Sequence, residues 1–174
     1  MASSIKVPEF YMSSHEVTIG EYKKFAQESQ KKLPVSWSNH EDDYPAFDVS
    51  WTDALEFCAW KSLVEGRQPA MVPDPKSLGW RCDFNSNGYR LPTEIEWEYA
   101  ASEASGFARS NTSTAGCIDE ISWNNQNCRG PMTVGTKKPN RFGIYDLFGN
   151  VAELCWTSYH ALIRRDKRSR EVLV

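Results

Sequence analysis

The chain has 174 residues, 40% of them hydrophobic and 25% charged, a composition that suits one globular domain with enough apolar material for a core. Its net charge of -3 argues against nucleic acid or an anionic membrane surface as the main partner and leaves small molecules or proteins. No apolar stretch approaches the ~18 residues of a bilayer span, and Met1 to Pro8 lacks the basic start and apolar run of a secretory signal, so a cytoplasmic location is expected.

In chain order, Phe10-Tyr11-Met12 suits a short strand. Thr18-Ile19-Gly20-Glu21 has the form in which a hydroxyl caps the third backbone N–H while the Glu side chain reaches back, so a helix is predicted to start there. Ile19, Tyr22, Phe25 and Ala26 fall near one face of it, and Lys31 and Lys32 supply positive charge where the last carbonyls are unpaired. Pro45 to Val49 reads as an extended segment leading to Ser50, the cap of a second helix whose face carries Trp51, Ala54, Leu55, Cys58 and Ser62 as far as Gly66. Asn87-Gly88 is a turn dipeptide before an extended Tyr89-Arg90-Leu91, and Thr93-Glu94-Ile95-Glu96 opens a third helix containing Trp97, Tyr99, Ala100 and Ala101.

From Ser102 to Asn140 there is no sustained period of either kind, which in a compact domain implies a functional loop or one held by something else. The segment Gly143 to Glu153 is dense in glycine, aromatics and oxygen-bearing side chains. The final stretch carries Arg164, Arg165, Lys167, Arg168 and Arg170, the pattern of a solvated basic tail. Cys58, Cys82, Cys117, Cys128 and Cys155 form no Cys-x-x-Cys pair, which argues against a zinc site and against a complete disulfide set. Cys58 lies on an apolar helix face, where core packing is the default. His15, His40 and His160 have no metal-ligand spacing.

Four blocks carry a family resemblance: Phe10-Tyr11-Met12 through Glu16-Val17-Thr18 and Tyr22; Val49-Ser50-Trp51-Thr52-Asp53-Ala54 through Trp60; Tyr89-Arg90-Leu91-Pro92-Thr93-Glu94 through Ala101; and Gly143-Ile144-Tyr145-Asp146-Leu147 through Glu153. In this order they resemble the formylglycine-generating enzyme (sulfatase-modifying factor) family. The resemblance implies an α+β fold related to C-type lectins, low in regular secondary structure, with two to three helices, small antiparallel sheets and long loops pinned by calcium. It places the family domain at residues 1–156 and leaves 157–174 as a divergent basic tail.

Enzymes of that family oxidise a sulfatase cysteine to formylglycine with a copper-binding cysteine pair, chemistry that needs two soft thiolates close together. In the family the pair follows a block beyond the one ending here at Glu153, and no counterpart stands before Val174. The resemblance therefore implies no catalytic cysteine and no copper in this chain. Its segment from Asp146 to Glu153 implies one structural calcium ion, held by Asp146, Gly149, Val151 and Glu153, since calcium takes six to eight oxygen ligands from carboxylates, carbonyls and water. A second family calcium site would draw on the stretch where Gly135 and Lys137 stand, and is not expected. The competing reading of the first site is that Asp146 caps a turn, Asn150 bonds loop backbone and Glu153 is solvated. In some family members the cysteine matching Cys58 bonds to one near the C-terminus. The function expected is a non-catalytic scaffold that binds a ligand or protein. The alternatives are a formylglycine-generating oxidase represented without its catalytic segment, with a sulfatase as its substrate, and a fragment without stable function.

Overall fold

The computed structural model describes residues 7–77, 79–102 and 115–156. The basic tail, His160 and the side chain of Cys117 lie outside the described residues. The chain divides into two compact units, one of residues 17–91 and one that joins residues 1–16 to those from Pro92 onward.

In the unit of residues 17–91, helix α1 spans Ile19–Glu28 and opens on the expected capping box: the Glu21 N–H donates to Thr18 Oγ1 at 3.2 Å, and the Thr18 N–H donates to Glu21 Oε2 at 3.1 Å. Helix α2 spans Trp51–Val64, with the Asp53 N–H donating to Ser50 Oγ at 3.1 Å. It ends at Gly66, which has φ +69, a left-handed conformation open to glycine at little cost. The two helices close over a ring-rich core of Ile19, Tyr22, Phe25, Trp37 and Phe57. Tyr22 meets Phe25 and Trp37 edge-on with centroids 5.2 and 5.3 Å apart, the geometry that aromatic quadrupoles favour. The extended segment before α2 is present, and Pro45 bridges Thr18.

Two local readings need correction here. Lys31 does not serve the end of α1; its ammonium pairs with Asp53 and Glu56 of α2, because α1 stops at Glu28 and the chain turns through Gln30 at φ 55. An antiparallel hairpin, β1 (Met71–Asp74) and β2 (Gly79–Cys82), forms where no strand was expected. Its four-residue strands are too short to show alternation. Asp74 sets the turn, accepting from the Lys76 N–H and the Ser77 hydroxyl.

In the second unit, Phe10–Met12 is not a strand: no ladder partner pairs with it among the described residues, Tyr11 stays 96% exposed, and Met12 packs on Ala100, Ala101 and Leu147. Helix α3 spans Glu94–Ser102, and its cap is the expected one, Thr93 and Glu96 satisfying each other's backbone N–H groups. Helix α4 (Ala115–Ile121) lies within the stretch without sequence period, being only 7 residues long and thus below the length at which a period shows. The arrangement is α+β with little regular structure, and loops make up the rest.

Candidate functional site

The segment from Gly143 to Glu153 folds without helix or strand, so its shape comes from side chains that bond backbone. Asp146 and Asn150 both adopt left-handed φ, +61 and +64, which acid and amide side chains tolerate best after glycine. Between them the Gly149 N–H donates to the Asp146 carbonyl at 3.0 Å. Asn150 then grips Met132 in both directions, Oδ1 accepting the Met132 N–H at 2.8 Å and Nδ2 donating to the Met132 carbonyl at 3.0 Å. Gly149 presses against the chain at residues 122–123, where an added Cβ would fall 2.0 Å from the Trp123 carbonyl oxygen. Only glycine permits that approach.

Three acids gather around this loop. Asp146 is 2% exposed, and its Oδ2 accepts the Gly135 N–H at 2.7 Å. Its Oδ1 is sealed from solvent and has no donor among the described residues; the same holds for both oxygens of Glu16. The Glu16 and Asp146 carboxyls lie within hydrogen-bond reach of each other. Burial first, and then the charge of Asp146, push the Glu16 carboxyl up to about 8. Glu153 accepts from Trp97 Nε1 at 3.0 Å, and burial raises its carboxyl while that hydrogen bond lowers it. Two sealed carboxyls face to face require a proton or a cation between them, since an unpaired buried charge is costly. Glu16 was missed in the sequence because it stands far from Asp146 along the chain and carries no spacing signal; its place in the first family block was its only mark.

The expected ligand residues all lie on this loop. Gly149, Val151 and Glu153 line an open groove of about 750 Å3, together with Trp97, Trp123 and Phe148. Asp146 lines a cavity of about 10 Å3, room for one water molecule. The oxygen-only donors, with one buried Asp146 oxygen unpartnered, fit the chemistry of a hard cation such as calcium. Of the competing reading, Asn150 does bond loop backbone, whereas Glu153 is half-buried and bonded to the Trp97 indole rather than solvated. Gly135 and Lys137 are engaged otherwise: Lys137 donates to the Asp119 carbonyl and sits 3.8 Å from the centre of the Trp123 ring. Histidines 15 and 40 contact backbone carbonyls at Glu16 and Ser36. Cys58, Cys82, Cys128 and Cys155 are thiols, and burial pushes both Cys58 and Cys155 up to about 12.

A loop-rich α+β domain with an acidic, indole-edged groove is the class this geometry defines. The profile of the Sulfatase-modifying factor enzyme 1-like domain matches residues 1–173, and the chain belongs to that family. It is 31% identical to the chaperone protein LppX of Paenibacillus barcinonensis, over 88% of this chain and 64% of that protein. It is 23% identical to the formylglycine-generating enzyme of Bos taurus, over 92% of this chain and 52% of that one. Treponema denticola variable protein 1 shares the fold with a TM-score of 0.66 at 27% identity, covering 81% of this chain and 59% of that chain. The chain thus spans between about half and two thirds of the length of these relatives, and its fold is that of the formylglycine-generating enzymes. Among the described residues no helix is long and apolar enough to cross a membrane.

Proposed function

We propose that this chain is a ligand- or protein-binding scaffold of the sulfatase-modifying factor family and does not itself oxidise cysteine. The observation that carries the reading is the groove, whose lining mixes Trp97, Trp123 and Phe148 with the Glu153 carboxyl and contains none of the described cysteines. Rings offer large contact area at small entropic cost, with polar groups left to orient the occupant. Copper oxidation instead needs thiolates, and the buried thiols Cys58 and Cys155 are held protonated. The relative named as a chaperone favours a protein occupant. The oxidase reading is supported by the bovine relative's name. An assay of a Cys-x-Pro-x-Arg peptide with copper separates the two: an unchanged peptide is expected, and turnover overturns the scaffold reading. A broad, uncooperative thermal transition, in place of a sharp one, would instead favour the fragment without stable function.

The second part of the proposal is a structural calcium ion drawing on Asp146, Gly149, Val151 and Glu153. Bound there, it would neutralise buried carboxylates and pin the loop. Supporting it are the unpartnered Asp146 oxygen and the raised Glu153 carboxyl. Calcium added to chelator-stripped protein is expected to raise the melting temperature by a few degrees, of the order of 2–4 °C for each 1 kcal/mol in a domain of this size. An unchanged melting temperature with and without chelator counts against the ion.

A further inference from the structure

Helix α2 and the β1–β2 hairpin each bring one cysteine to their shared side. Cys58 is buried on α2 at 8% exposure. Cys82 pairs with Met71 across the hairpin, and residues directly opposite in an antiparallel ladder point to the same face. Met71 is fully buried, so that face is the inner one, and β1 packs on α2. Burial first, and then the neighbouring Cys82, push the Cys58 thiol up.

Backbone around the pair is held tightly. Ser62 Oγ donates to the Cys58 carbonyl at 2.7 Å and accepts the Tyr89 N–H at 2.7 Å. The Asp83 N–H donates to the Ala70 carbonyl at 2.8 Å, directly after Cys82. Neither sulfur is therefore on a free-swinging segment. Access differs, because Cys82 is half-buried while Cys58 is sealed.

We propose that Cys58 and Cys82 form a redox-modifiable pair that a small disulfide, such as oxidised glutathione, closes into an intramolecular disulfide. The Cys82 thiolate attacks one sulfur of the reagent and expels a first thiolate, leaving a mixed disulfide on Cys82. The Cys58 sulfur then attacks the Cys82 sulfur and expels a second. The two protein thiol protons go to the two expelled thiolates, so two thiols and one disulfide become one protein disulfide and two small thiols. Burial holds the Cys58 thiol up at about 12, which makes Cys82 the entry point and the second attack the slow one. The closed loop ties α2 to the hairpin and limits the unfolded chain.

Folded protein incubated with oxidised glutathione, alkylated and digested without reduction tests this. A cross-linked pair of peptides containing Cys58 and Cys82 is expected, with loss of two hydrogens in the intact mass and a melting temperature raised by roughly 5–10 °C. A C58S variant is expected to stop at a glutathione adduct on Cys82. The proposal is overturned if the wild-type protein keeps both thiols alkylated, holds a lasting adduct on Cys82, or links Cys58 to Cys128 or Cys155. The wild-type peptide map decides the matter even where a variant fails to fold.

Discussion

Between Val17 and Leu91 the chain is held by rings, with Phe25, Ile19 and Leu55 almost wholly buried and the helices capped by residues three positions away. Around the groove the described core is small, Ala100, Ala101 and Leu147, and amides and carboxylates grip backbone instead. The first region is stabilised by non-directional apolar burial, which tolerates exchange of one hydrophobe for another of similar volume. The second depends on directional bonds to sealed polar groups, where a lost partner leaves an unmet charge or dipole. A surface that must present polar groups to an occupant belongs on the second kind of frame.

The largest expected effect is in the ring core. Phe25→Ala should cost about 3–5 kcal/mol in denaturant unfolding, since it empties a fully enclosed site. Phe25→Leu should recover most of it, and equal losses for both would break the picture of a shape-tolerant core. Next comes the loop: Asn150→Ala removes both bonds to Met132 and should cost about 1–3 kcal/mol, whereas Asn150→Gly relieves the positive φ but restores neither bond. A glycine variant as stable as wild type would show that backbone strain, not hydrogen bonding, makes Asn150 necessary.

The acid pair predicts a pH dependence that the ring core lacks. Glu16 binds its proton more tightly folded, at about 8, than unfolded, at about 4.5, so the folded state carries the extra proton between those values. Stability contributed by this group should therefore fall as pH rises from about 5 to about 8, by at most about 1.4 kcal/mol per pH unit. Chemical unfolding in chelator at several pH values measures the slope, and Glu16→Gln should flatten it. A wild-type slope retained in that variant would locate the titration elsewhere. Smallest is Thr18→Ala, expected to cost about 0.5–2 kcal/mol through the lost cap of α1, read from the thermal midpoint.

What the sequence by itself determined is local. Thr18, Ser50 and Thr93 each announce a helix because the cap and its partner stand three residues apart, and the polar block from Asp146 to Glu153 announces a loop that needs holding. The family also followed from short blocks in fixed order. Only the tertiary structure decided which distant groups meet: Glu16 with Asp146, Lys31 with two acids of α2, Cys82 on the inner face of a hairpin too short to show a period. It also decided exposure along the loop, burying Asp146 while Gly149, Val151 and Glu153 line the groove. Capping is settled within one turn of chain, whereas burial and the pairing of charges depend on what the whole fold brings alongside, and no spacing in one sequence encodes that.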